Sequence, residues 1–161
     1  MNWWIPSDSF WKEASAISAS KVLVSKFLPD SKLTKSESLP LLNCVEKATR
    51  KLFPVAEEFI TLTINENEKT LEGVSNLLMK LAQLDTVRGD TLIAVGGGAL
   101  QDLVTLASSI YMRGLKWIYV PTTLMAMLDS CIGGKSSINL GQYKNLVGNF
   151  YPPASVYIDL L

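Results

Sequence analysis

An α/β fold, a mostly parallel sheet flanked by helices, follows from three observations on this 161-residue chain. Apolar strands, glycine-rich turns and helix-period segments alternate at the intervals of βαβ units. Leu92–Val95 is a continuous apolar run, as expected of a parallel strand covered on both faces. The length, with 48% apolar residues, suffices for one compact domain with a full core.

The elements follow in order. Residues 1 to 20 carry Trp3, Trp4, Phe10 and Trp11 among Ser and Lys, which reads as a segment docked on the core or on a partner rather than a loose tail. Lys21–Val24 reads as a short strand, Ser31–Ser38 as a polar loop, and Leu39–Leu42 as a candidate second strand. A helix is predicted near Val45–Phe53, where Val45, Ala48 and Leu52 recur at helical spacing. Glu58–Ile64 is β-rich and runs into the polar turn Asn65–Lys69. A helix over about Thr70–Leu84 would set Leu71, Val74, Leu77, Leu78 and Leu81 on one face. After the strand Leu92–Val95, a helix from about Ala99 to Met112 would bury Leu100, Leu103, Val104, Ala107 and Ile110. Val156–Leu161 is strand-like, which fits the last strand of a domain and a truncated protein equally well.

Composition narrows the function. Fifteen basic residues balance fifteen acidic ones, so charge alone points to neither nucleic acid nor a membrane surface. Outside one glycine-rich, interrupted region, no uncharged stretch reaches the roughly 18 residues of a membrane span. The start, Met1–Pro6, lacks the basic region and apolar core of a signal peptide. Two cysteines, Cys44 and Cys131, make no disulfide framework, so a cytoplasmic location is expected. There is no histidine, the commonest metal ligand, so no metal site is expected in this chain.

The chemistry-bearing residues lie between positions 66 and 145. Gly96-Gly97-Gly98 follows a strand and opens a helix, where the missing Cβ atoms let backbone approach a pyrophosphate. Gln101 stands where the dinucleotide fingerprint has its third glycine, so a tight turn and a phosphate site fit equally. Asp102, placed in the first helical turn, reads equally as dipole compensation and as a carboxylate facing a cofactor. Arg113-Gly114 reads on its own as ordinary helix capping. Gly133-Gly134-Lys135-Ser136 looks like the end of a Walker A loop, but the first required glycine falls on Asp129. Lys135 remains an anion ligand beside two glycines, and Lys144 with Asn145 adds a cation and an amide nine residues later.

Together these residues resemble the dehydroquinate synthase family of the sugar-phosphate cyclase superfamily, over about Ile64–Asp159. The resemblance implies the N-terminal, Rossmann-like domain of that fold, spanning residues 1–161 here, with the metal-binding helical C-terminal domain absent. Glu66 and Lys69 resemble the family's Glu-x-x-Lys cofactor turn, and Gly97, Gly98 and Asp102 its NAD pyrophosphate turn. Thr122 and Thr123 resemble its Pro-Thr-Thr cofactor contact, and Lys144 falls on a further NAD-contacting position. Arg113, Asp129, Lys135 and Asn145 fall on positions that bind the phosphorylated sugar acid, the arginine reaching across a homodimer interface.

The implied activity of the complete enzyme is cyclisation of the phosphorylated sugar acid DAHP to 3-dehydroquinate with loss of phosphate, a lyase step of the shikimate pathway. NAD would be the cofactor, and a divalent metal, Zn or Co, would be held only in the C-terminal half. The chain alone is expected to bind NAD weakly or not at all and to turn nothing over.

Three departures bear on substrate and cofactor. The family's two histidines and its helical half are missing, and the ribose-reading Asp falls near Leu42 or Asn43. Asn139–Tyr143 and Tyr151-Pro152-Pro153 are more similar to cyclases of the inosose or valiolone type, the alternative enzyme reading. Iron-dependent alcohol dehydrogenases share the triple glycine, but Leu124–Asp129 replaces their Gly-Thr-Gly-Ser-Glu run. A non-catalytic nucleotide-binding module is the remaining alternative.

Overall fold

The computed structural model describes residues 56–62 and 64–158 together with the strands Trp3–Trp4 and Ser20–Ser25. The expected strand Leu39–Leu42, the expected helix Val45–Phe53 and the ribose-reading position near Leu42 lie outside the described residues. So does Cys44, while Cys131 is a free, buried thiol.

Six strands form one sheet. They are β1 (Trp3–Trp4), β2 (Ser20–Ser25), β3 (Ala56–Leu62), β4 (Thr91–Gly96), β5 (Lys116–Pro121) and β8 (Ser155–Tyr157), in the order β1-β8-β5-β4-β2-β3. β6 (Ile138–Leu140) and β7 (Tyr143–Val147) make a separate antiparallel hairpin. The four strands β1, β8, β5 and β4 run parallel, with Gly96 opposite Pro121 at the end of the β4–β5 ladder. β2 pairs antiparallel with both β4 and β3, so the sheet is mixed rather than parallel throughout. Trp3–Trp4 pairs with β8, which docks at least this part of the N-terminal segment on the sheet, as expected.

The first helix, α1 (Leu71–Gln83), starts at Thr70, whose hydroxyl oxygen accepts from the Gly73 amide at 3.1 Å. This is an N-cap that frees the following residues to run helically. Val74, Leu77 and Leu81 are buried as the 3.6-residue period requires, but Leu71 in the first turn is exposed. The second, α2 (Gly98–Ile110), packs against α1, β4 and β5 and buries Leu100, Leu103, Val104 and Ala107. The expected burial of Ile110 fails: it is exposed, because the helix ends there and a 3₁₀ turn, Tyr111–Arg113, leads the chain away.

The core lies between these helices and the sheet, where Leu92, Ala94, Trp117, Tyr119 and Val156 meet Leu77, Leu81, Leu100 and Leu103. All six residues of β4 are buried, in keeping with a strand covered on both faces. Trp117 places its one polar atom well, donating from Nε1 to the Tyr151 carbonyl at 3.1 Å.

Candidate functional site

The parallel strands β4 and β5 end side by side, and the two turns that follow them touch. The Thr122 amide donates to the Gly96 carbonyl at 3.0 Å. A Cβ on Gly97 would lie 3.2 Å from Thr123 Cγ2, and one on Gly98 would lie 3.4 Å from Ser130 Oγ. No side chain caps the start of α2, so its first amides are left to another acceptor. An anion at this helix end meets those amides and the positive end of the dipole. Open parallel sheets bind ligands at this location, beyond the carboxyl ends of the strands.

A helical segment, residues 124–133, closes the second side. Thr123 Oγ1 accepts from the Ala126 amide at 3.3 Å, and a π-helical turn follows over Ala126–Ser130. Two hydrogen bonds brace this region, one from α2 to the helical segment and one from β5 to the end of β4. Gln101 Nε2 donates to the Ser130 carbonyl at 2.6 Å, and the Tyr119 hydroxyl donates to the Gly96 carbonyl at 3.1 Å. Gln101 stood out in the sequence only as the residue in place of a third glycine, and Tyr119 reads as filler in an apolar strand.

A charge cluster stands on the third side. Lys69 is buried, and its ammonium meets Glu66 Oε1 at 3.0 Å, Asp102 Oδ2 at 3.3 Å and Asn145 Oδ1 at 2.9 Å. The turn from Asn65 to Lys69 is held locally: the Asn67 amide donates to Asn65 Oδ1 at 2.8 Å and the Asn65 amide to Glu68 Oε2 at 2.7 Å. Asn139 joins the turn to the β6–β7 hairpin. Its Nδ2 donates to the Glu66 carbonyl at 3.1 Å and to Glu66 Oε1 at 3.3 Å, while its Oδ1 accepts from the Asn145 amide at 2.9 Å.

These contacts set the carboxylates apart. Burial pushes Asp102 up from 3.8 to about 6, against the pull of the Lys69 charge, its hydrogen bond and the Ser137 backbone. Burial also raises Glu66, but the hydrogen bonds from Lys69 and Asn139 outweigh it and hold the carboxyl below its ordinary range. One ammonium thus sits between a carboxylate that is firmly ionised and one that titrates near pH 6.

The sequence-predicted residues divide into three groups. Glu66, Lys69, Asp102 and Asn145 come together around the Lys69 ammonium. Gly97, Gly98, Thr122 and Thr123 form the paired turns. Asp129, Lys135 and Lys144 are exposed, with Asp129 on the π turn and Lys135 bridged to Phe150 beyond Gly134.

Arg113 stands apart. It follows the C-terminal end of α2, and α2 alone is roughly 20 Å long, so no arm of this chain brings it to the glycine turn. Its expected capping role also changes. α2 ends at Ile110 with Tyr111 extended, and Arg113 itself adopts φ +66°. Asp102 likewise lies one residue deeper than expected, just past the first turn, because α2 begins at Gly98, and dipole compensation no longer accounts for it.

Residues 59–161 match the family profile described as 3-dehydroquinate synthase N-terminal. The chain belongs to the 3-dehydroquinate synthase family. The 3-dehydroquinate synthase of Pyrobaculum aerophilum is 48% identical over 101 residues, 63% of this chain and 29% of that protein. A solved 2-deoxy-scyllo-inosose synthase complexed with carbaglucose-6-phosphate, NAD+ and Co2+ superposes with a TM-score of 0.65 at 34% identity. That match covers 71% of this chain and 32% of the neighbour. The 2-epi-5-epi-valiolone synthase of Streptomyces hygroscopicus, solved with NAD+ and Zn2+ bound, matches at 33% identity and a TM-score of 0.59, over 61% of this chain and 28% of its own. The chain spans less than a third of the length of the curated relatives it matches.

Among the described residues no group of three or more His, Cys, Asp or Glu side chains could hold a metal ion. No helix among them is long and apolar enough to cross a membrane.

Proposed function

We propose that this chain is the NAD-binding portion of a 3-dehydroquinate synthase-like enzyme, which cyclises the phosphorylated sugar acid DAHP to 3-dehydroquinate with loss of phosphate. One observation carries the reading: the Lys69 ammonium draws the Glu66 turn, Asp102 of α2 and Asn145 of the hairpin together beside the paired glycine and threonine turns.

The residues suit NAD. The Cβ-free edge at Gly97 and Gly98 and the uncapped start of α2 offer backbone amides to a pyrophosphate. Thr122 and Thr123 line the opposite side, and Glu66, Asp102 and Lys144 stand where ribose hydroxyls and the nicotinamide end would need partners. When bound, NAD supplies reversible hydride transfer at a substrate carbinol, which makes the neighbouring C–H acidic enough for phosphate to leave. Lys135 holds the substrate phosphate as a fixed cation. Arg113 does the same from a second protomer of a homodimer, in keeping with its distance from the glycine turn. Asp129 and Asn145 orient substrate hydroxyls. The described residues do not fit the metal. Zn or Co belongs to the C-terminal half of the complete enzyme, which works in the shikimate pathway in the cytoplasm.

The solved neighbours named above favour a second reading, a cyclase of the inosose or valiolone type acting on a sugar phosphate. Phosphate release by the complete protein, with NAD and Co2+, separates the two. DAHP is expected to be the substrate and a hexose phosphate not. Release from the hexose phosphate alone would replace the first reading with the second.

A further inference from the structure

We infer that Asn139 is the positioning residue of the cofactor site, a proposal that rests on the NAD reading above and deepens it. Asn139 is 9% exposed, and both polar atoms of its side chain and its backbone amide are hydrogen-bonded. Its amide nitrogen donates to Glu66 twice, at the carbonyl and at Oε1, and its carbonyl oxygen accepts from the Asn145 amide. Its backbone amide donates to the Lys69 carbonyl at 2.8 Å. Lys69 then closes the circle through Glu66 Oε1 at 3.0 Å and Asn145 Oδ1 at 2.9 Å. The result is a ring of four side chains, Asn139, Glu66, Lys69 and Asn145, drawn from two turns more than 70 residues apart in sequence.

Asn145 shows what the ring does. Its φ is +56°, in the left-handed region that side chains other than glycine rarely adopt. The bond from its amide to Asn139 Oδ1 favours that conformation over its competitors, and the conformation points the Asn145 carboxamide at Lys69. Asn139 therefore acts through its neighbours, setting where Glu66 and Asn145 stand.

Only asparagine fits the position. The site needs a donor towards a carboxylate and an acceptor towards an amide on one short side chain. Aspartate keeps the acceptor but sets a second carboxylate against Glu66. Alanine removes both.

Backbone amide hydrogen exchange on the 161-residue chain, with and without millimolar NAD, tests this. In Asn139→Ala the Asn145 amide should exchange about ten-fold faster, the factor expected from losing one part-buried hydrogen bond, while β4 and α2 keep their protection. Asn139→Asp should keep the Asn145 amide protected yet loosen the Glu66–Lys69 turn, the more so as pH rises from 4 to 7 and both carboxylates ionise. With NAD, the wild type should gain protection at Gly97 and Gly98 and in both turns, and Asn139→Ala should keep only the gain at the glycines. Wild-type exchange at Asn145 in Asn139→Ala, or identical behaviour of the two variants at both pH values, would overturn the assignment. Absence of NAD-induced protection in the wild type would show that this chain alone does not hold NAD, and the exchange comparison without NAD would still decide the role of Asn139.

Discussion

Lys69 has an acceptor for each of its three ammonium protons, and all three belong to its own chain: Glu66, Asp102 and Asn145. A lysine satisfied in this way orders the groups around it, whereas Lys135 and Lys144 are exposed. Asp102 bears the cost of the arrangement, since burial lifts its pKa to about 6 despite the ammonium beside it. The folded state therefore binds this proton more tightly than the unfolded chain does. That contribution to stability is present below about pH 4 and is lost as pH rises through about 6. The stability of the wild type relative to Asp102→Asn should accordingly fall between pH 4 and 6 and level off by pH 7, as read from melting curves of both proteins. A difference that is flat or rising across that window would mean that Lys69 and Ser137 outweigh burial. Asp102 and Asn145 were legible in the sequence as a carboxylate and an amide near glycine turns, and Lys69 only through the resemblance of its turn to the family's. Asn139 was not, because its role depends on Glu66, far away in sequence, and an asparagine between Ile138 and Leu140 reads simply as a weak strand residue.

Elements were legible where their periodicity faces a core. α1 shows its 3.6-residue stripe in Val74, Leu77 and Leu81, and β4 its unbroken apolar run. The helical segment at 124–133 has no such signature. Its buried residues are Ala126 and Cys131, five apart, which matches the π turn and no α-helical face. Leu124, Leu128 and Ile132, which do recur at helical spacing, are exposed. The same segment ends at Gly134, with φ +58°, where an added Cβ would lie 2.7 Å from Pro152 Cα. Gly134→Ala combines left-handed strain with a clash against backbone that has no rotamer to escape into. It should destabilise the chain by about 2–5 kcal/mol, the sum of about 1–2 for the conformation and 1–3 for overpacking. An unchanged midpoint in urea unfolding would show that the Tyr151–Pro153 strap yields freely.

At the scale of the molecule, the parallel half of the sheet carries the candidate site, because β4 and β5 end together and deliver both turns to one place. That half follows from glycine turns after apolar strands. The antiparallel pairing of β2 does not, since the short apolar run Val22–Val24 carries no sign of its direction. The site these strands build is open. Thr123, Asp129, Lys135 and Lys144 are exposed, and the chain spans 29% of its Pyrobaculum aerophilum relative. Phosphate cradles made of backbone amides lose much of their strength when water can compete, because the same dipoles act through a far higher dielectric. NAD should therefore bind the 161-residue chain with a Kd near 1 mM or weaker. At 1 mM ligand such a site adds only about 0.4 kcal/mol of stability, or roughly 1–2 °C in Tm for a domain of this size. The same chain should release no phosphate from DAHP. A shift corresponding to saturation a hundred-fold above Kd, about 2.7 kcal/mol, would show that the turns and the Lys69 cluster are already organised to hold the cofactor without a second wall. Measurable phosphate release would go further and show that the reacting groups are all present in these residues.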